Sequence, residues 1–289
     1  MNVQDNLAQC EAMIAKGSTS FYHAFRLLDS PRREAVFVIY AFCRLIDDAI
    51  DEEQPLFSID ELEQGFKDLE HADGHFIWDS LRWLFRHFKL SKEPFFRQME
   101  GQRRDLVVTH YETMEQLESY CYLVAGTVGE MLLPVLHDAP GEAVTKSGIY
   151  LGKAMQIVNI IRDVGEDRER GRRYLPLELM KRHGYTEEQF DRGEVNEAFR
   201  HLVDELTELS RSWFRIGLEN IGSYPVQSAI AVELAAGYYS AILNKVKDNR
   251  YEVFTKRSIV GSLEKGVIYA SVKRKYGKPR QNGTETAVS

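Results

Sequence analysis

From Ala35 to Ile50 apolar side chains cover nearly the whole circumference of a helix, a pattern that belongs inside a bundle rather than on its surface. Ser30 and Pro31 supply an N-cap and a first-turn proline, so the helix is expected to start there. Its polar residues are then the anomaly. Tyr40, Arg44, Asp47 and Asp51 are spaced four, three and four apart, which places them on one stripe. Asp48 lies about 100° further round. An unpaired carboxylate in an apolar interior costs several kcal/mol, so this stripe must face a partner, a metal or a wet cavity.

The pattern recurs between Gly152 and Asp167. Gln156, Asn159, Asp163 and Asp167 share one helical stripe, while Ile157, Val158, Ile160, Ile161 and Val164 take most of the remaining surface. Each helix carries carboxylates at i and i+4 in an apolar setting, with an arginine (Arg44, Arg162) close by. A single such pair is most simply a solvated face; two copies predict the acidic walls of one cavity. Mg²⁺ prefers oxygen ligands, keeps waters and is usually completed by substrate phosphate, and the arginines suit an anionic ligand bound through that metal.

The rest of the chain reads as helices separated by short breaks. Asn6 to Lys16 is an amphipathic helix ending at Gly17, and Ser18-Thr19-Ser20-Phe21 is a polar turn whose hydroxyls and N–H groups suit phosphate oxygens or serve equally as plain caps. Capping boxes open helices at Ser58 and Thr113. His75 to Lys89 is core-packing helix, Ser91 caps a helix running to about Val108, and Arg103, Arg104 and Asp105 are expected to form surface pairs. Gly126 and Gly129 interrupt a helical pattern, which implies a kink or a close backbone approach and would draw Tyr120 and Val124 toward a cavity. Long helices are expected at about 194–220, 225–247 and 256–275, the second burying Tyr238 and Tyr239, whose phenols need polar partners. No internal linker is evident, so residues 1–289 are read as one all-α domain, with a frayed basic tail from about Lys273.

Composition adds exclusions. With 44% hydrophobic and 28% charged residues in 289, the chain is ordinary globular protein. A net charge of −7 argues against nucleic acid as the main partner. No unbroken apolar run approaches a bilayer span and the N-terminus lacks a signal-peptide core, so a cytoplasmic protein is expected, with the basic tail a candidate contact for anionic lipid headgroups. Three scattered cysteines, Cys10, Cys43 and Cys121, support neither a disulfide framework nor a zinc site and are expected reduced and buried. His71 and His75 are read as surface residues. Signatures of nucleotide-binding loops and hydrolase elbows are absent.

The segments STSFYHAF (18–25), AVFVIYAFCRLIDDAID (35–51), YCYLVAGTVGE (120–130) and LGKAMQIVNIIRDVGED (151–167) resemble the squalene and phytoene synthase family, and within it the bacterial dehydrosqualene synthases. The resemblance spans about residues 16 to 275. It implies an isoprenoid-synthase helical bundle around a central cavity, and a Mg²⁺-dependent prenyltransferase of isoprenoid and carotenoid biosynthesis. Such an enzyme joins two prenyl diphosphates head to head through a cyclopropylcarbinyl diphosphate. Carried over, Asp47 and Asp51 with Asn159, Asp163 and Asp167 bind the metal. Ser18, Ser20, Tyr40, Arg44, Gln156, Arg162 and Tyr239 match diphosphate positions, with Thr19 between them read as substrate-binding by its place in the segment, and Phe21, Phe25, Phe37, Tyr120 and Val124 match the prenyl-tail pocket. The catalytic set so implied is Asp47, Asp51, Tyr120, Asp163, Asp167 and Tyr239. Gly17 and Thr19 depart from the pattern, standing where many relatives have His and Lys; one cationic diphosphate contact is then either missing or supplied by Lys256 or Arg257.

The bulky phenylalanines favour farnesyl diphosphate and a C30 product such as dehydrosqualene or squalene. Competing readings are a phytoene synthase using geranylgeranyl diphosphate, a phosphatase releasing farnesol, and a helical scaffold whose acids are only structural. Whether NADPH reduces the product and which oligomer forms stay open.

Overall fold

A computed structural model describes residues 2–277. Among them there is no β-strand, and the chain alternates helices with short connections: α1 (Val3–Gly17), α2 (Thr19–Phe25), α3 (Arg32–Asp51), α4 (Ile59–Lys67), α5 (Phe76–His87), α6 (Glu93–Arg104), α7 (Met114–Cys121) and α8 (Thr127–Leu136). Then follow α9 (Glu142–Arg162), α10 (Val164–Glu169), α11 (Leu177–His183), α12 (Glu187–Asp191), α13 (Glu197–Leu218), α14 (Val226–Asp248) and α15 (Ser262–Tyr276).

The apolar density of α3 places it centrally: its residues 35–39, 41–43, 45 and 46 are buried. Helix α1 packs outside it, α5 packs on both, and α13 lies along the outer side of α9. Helices α3, α6, α8, α9 and α14 surround one cavity, and α2 closes over it through Phe21 and Phe25. By length and composition Met114–Leu136 and Val226–Asp248 could cross a membrane; here they are wall helices, with most of α14 buried. The three cysteines are buried and unpaired.

Several expectations are corrected. Helix α3 starts at Arg32 with Pro31 as its N-cap, so Ser30 does not cap it. Helix α6 ends at Arg104 rather than near Val108, because residues 109–112 leave the helix to pair with 173–178; Arg173 N donates to Thr109 O at 2.7 Å and Leu177 N to Tyr111 O at 2.9 Å. The acidic helix read through Asp167 breaks at Asp163. There the Gly165 N–H donates to Val253 O at 3.2 Å instead of continuing the helix ladder, and a Cβ at Gly165 would lie 2.1 Å from Phe254 O, so glycine admits the crossing chain. His75 is not a plain surface residue: it is half-buried and its ring accepts from Ile77 N as the cap of α5. The last helix begins at Ser262, not Lys256, and residues 273–276 of the expected frayed tail belong to it. The remainder of that tail, from 278, lies outside the described residues.

Gly126 and Gly129 show both effects expected of them. A π-helical turn, Tyr122–Gly126, separates α7 from α8 and re-aims the chain. A Cβ at Gly129 would stand 2.2 Å from Gly148 O on α9, so the two helices touch backbone to backbone. Gly129→Val is expected to destabilise the protein by about 2–3 kcal/mol through overpacking against immovable backbone; an unchanged urea midpoint would contradict that contact.

Candidate active site

The cavity encloses about 650 Å³. Its mouth is polar because the two acidic stripes open onto it from opposite helices: Tyr40, Arg44, Asp47 and Asp51 from α3, and Gln156, Asn159, Arg162, Asp163 and Asp167 from α9 and α10. The deeper wall is apolar, formed by residues such as Phe25, Val36, Val124, Leu133, Leu136, Met155 and Val232. Phe21 stacks on Phe25 with centroids 5.5 Å apart and meets Tyr239 edge-on at 5.3 Å.

Arginines hold the acids. Asp51 accepts from Arg170 at 2.8 Å and Arg172 at 2.7 Å. Asp163 accepts from Arg162 Nε at 2.8 Å and lies 3.0 Å from Arg257 Nε, whose guanidinium also reaches Glu166 at 3.4 Å. Arg44 pairs with Asp48. Asp47 has no arginine partner and instead accepts from Gln102 Nε2 at 2.5 Å. Burial pushes the Asp47 carboxyl up to about 7, Arg44 opposing it and Asp51, Asp48 and Asp105 adding to it. Asp167 is likewise raised to about 7, by burial first and then by Asp163.

The residues fit a hard divalent cation. Seven carboxylates line the cavity, Asp47, Asp51, Glu52, Asp105, Asp163, Glu166 and Asp167, against five guanidiniums, Arg44, Arg162, Arg170, Arg172 and Arg257. The wall is therefore in negative surplus before any anion arrives, so an anionic ligand needs cations to enter with it. Asn159 Oδ1 is buried with no hydrogen-bond donor, an orphan acceptor on the acidic stripe. Among the described residues no three His, Cys, Asp or Glu side chains converge as a ready-made cage. Mg²⁺ does not require one, because it keeps waters and takes phosphate oxygens.

Not every expected site residue reaches the cavity. Phe21, Phe25, Tyr40, Arg44, Tyr120, Val124, Gln156, Arg162 and Tyr239 line it with the acids. Ser18, Thr19 and Ser20 do not. Ser18 caps α2 by accepting from Phe21 N at 3.4 Å and bonds the Tyr239 phenol, so it stands one layer behind the wall. Thr19 is exposed and accepts from Lys265 Nζ at 2.9 Å. Phe37 is buried behind the wall against Tyr22 rather than in the tail pocket. A Cβ at Gly17 would stand 2.4 Å from Tyr40 Oη, so glycine there leaves room for that phenol. Of the two candidate compensating cations, Arg257 lines the site while Lys256 turns away to Asn249 at 3.3 Å.

Asp105 is the main residue assigned wrongly. It is buried, not surface-paired; it accepts from Tyr120 Oη at 2.8 Å, and burial lifts its carboxyl to about 6. Tyr120 stacks on Tyr174 at 5.1 Å, with the two phenol oxygens 3.3 Å apart. Arg103 pairs with Asp60 and Glu63 instead. Gln98, Gln102, Glu166, Arg170, Arg172 and Tyr174 were also missed. A signal existed for two of these and for Asp105: Gln98, Gln102 and Asp105 fall at i, i+4 and i+7, a polar stripe like those on the acidic helices.

The squalene/phytoene synthase family model matches residues 14–264. Phytoene synthase of Thermus thermophilus is 35% identical over 87% of this chain and 86% of its own length. The 4,4'-diapophytoene synthase of Staphylococcus haemolyticus is 29% identical over 95% and 98%. A crystal structure of a dehydrosqualene synthase in complex with ligand superposes with a TM-score of 0.90 at 33% identity, covering 95% of this chain and 98% of that one.

The raised carboxyls make a stability prediction. A carboxyl whose folded pKa lies above its unfolded value favours folding below the unfolded value, and that contribution is lost as pH rises through the folded one. For Asp47 and Asp167 the loss is complete only above about 7. Metal-free protein should therefore melt lower at pH 8 than at pH 6, and Asp47→Asn should recover about 1–2 kcal/mol at pH 8; calorimetry showing no gain would contradict the crowding. Arg257→Met should weaken diphosphate binding at least about tenfold by calorimetric titration, with Lys256→Met nearly unchanged.

Proposed function

The chain belongs to the squalene/phytoene synthase family and is a head-to-head prenyltransferase; from that premise we propose that it condenses two molecules of farnesyl diphosphate, through a cyclopropylcarbinyl diphosphate, to a C30 product such as dehydrosqualene or squalene. The observation that carries this reading is the single cavity that joins two facing acidic stripes to an apolar, aromatic-lined interior. A ligand with a diphosphate head and a hydrocarbon tail matches both halves.

Asp47, Asp51, Asn159, Asp163 and Asp167 would hold Mg²⁺, which supplies Lewis-acid neutralisation of a departing diphosphate. The chain's own groups do the rest. Arg44, Arg170, Arg172 and Arg257 can exchange a carboxylate partner for phosphate oxygens, donating charge-assisted hydrogen bonds as negative charge develops on the leaving group. Tyr40 stands beside them as a neutral donor, its phenol raised by burial. The allylic cation left behind would face Phe21, Phe25, Tyr120 and Val124, which exclude water, and the three aromatic residues among them offer ring faces to positive charge. The Asp105 and Tyr174 contacts fix the Tyr120 phenol against this wall.

The C15 preference rests on Phe21 and Phe25, two stacked rings in the cavity wall whose bulk limits the room for a tail. Relatives named phytoene synthases support the second reading, with geranylgeranyl diphosphate as substrate. Incubation of the protein with each diphosphate and Mg²⁺, with and without NADPH, followed by mass spectrometry, separates them. A C30 product from farnesyl diphosphate is expected; a C40 product formed in preference from geranylgeranyl diphosphate would overturn the chain length, and farnesol alone would overturn coupling. Asp163→Ala should lower turnover by about three orders of magnitude with unchanged circular dichroism.

A further inference from the structure

We propose that α15 and the residues leading into it form a docking surface for a bilayer rich in anionic lipid. Ile259, Leu263 and Val267 are 71%, 90% and 70% exposed, and Tyr269 on the flank is 38% exposed. Within α15, Leu263, Val267, Ala270 and Arg274 are spaced four, three and four apart and form one outward stripe. The opposite side, through Ile268 and Val272, packs against the core. The helix is therefore apolar on two faces and only one of them is covered, which isolated surface residues do not explain.

Charge names the occupant. Residues 256–277 contain six Lys and Arg and one acid, Glu264, on a chain whose total is −7; Arg257 is taken by Asp163 and Glu166 and Lys275 by Glu233, which leaves Lys273 and Arg274 as the cations beside the outward stripe. Glu264 is tied to Lys245 at 3.1 Å, so the outward stripe carries no free acid. Apolar side chains flanked by Lys273 and Arg274 suit acyl chains beneath anionic headgroups. A second copy docking through the same face by two-fold symmetry would instead bring the Lys273 and Arg274 pairs of both copies together.

Position gives the surface a use. Ile259 follows Arg257 by two residues, and Arg257 lines the cavity mouth. At the other side of α15's first turns, Lys265 donates to Thr19, at the start of the helix that closes over the cavity. A bilayer held on this face would lie next to the opening through which a lipid-tailed ligand passes. The docking itself does not depend on which prenyl chain length is used.

The test is flotation of the full chain with phosphatidylcholine vesicles, with and without about one third phosphatidylglycerol. Binding is expected only with the anionic vesicles, weakened at least about tenfold by about 0.5 M salt and at least about tenfold by the double substitution Leu263→Asp/Val267→Asp. Turnover of dispersed substrate by that variant should be unchanged, which shows an intact fold. Failure of the wild-type chain to float with anionic vesicles, or equal flotation of the variant, would overturn the proposal. So would a wild-type dimer in size-exclusion chromatography that the double substitution makes monomeric.

Discussion

Carboxylates crowded into a wall with little water are the constraint on which the site depends. Asp47 and Asp167 are each pushed to about 7 by burial and by like charges, and the cost is bearable only because arginines from the same walls hold the neighbouring acids. Asp51 sits between Arg170 and Arg172, and Asp163 between Arg162 and Arg257. The balance is incomplete, and the remaining negative charge attracts cations that can bring a phosphate with them. Stability given up at these positions is the usual companion of a binding site.

The bundle serves this arrangement. Backbone contact between Gly129 and Gly148 brings α8 close to α9, and the π-helical turn before α8 aims Val124 into the cavity. The chain after α14 crosses α10 at Gly165 and delivers Arg257 to Asp163. The pairing of residues 109–112 with 173–178 brings Arg172 and Tyr174 beside Asp105 and Tyr120. Water exclusion and charge placement are thus produced by the same helix contacts.

Much of this was legible in the chain because helical periodicity converts spacing directly into direction. The stripes of α3 and of α9 with α10 could be read residue by residue, and their eight members, Tyr40, Arg44, Asp47, Asp51, Gln156, Asn159, Asp163 and Asp167, need only that arithmetic plus a common bundle. Asp105 was not, since its arginine neighbours at 103 and 104 suggest a solvated cluster until the turn after α6 points it inward. Thr19 and Phe37 err the other way: a motif places them near the site, but one rotates out to Lys265 and the other back toward Tyr22.

The sequence by itself determined the helical class, the central place of α3 and the meeting of two acidic helices, because each follows from local periodicity and the cost of burying charge. Only the tertiary structure decided which arginines serve the acids, that Arg257 rather than Lys256 reaches the mouth, and that α15 leaves an apolar face uncovered. Those outcomes depend on contacts between residues tens to more than a hundred positions apart, whose relative rotation and register no local pattern encodes.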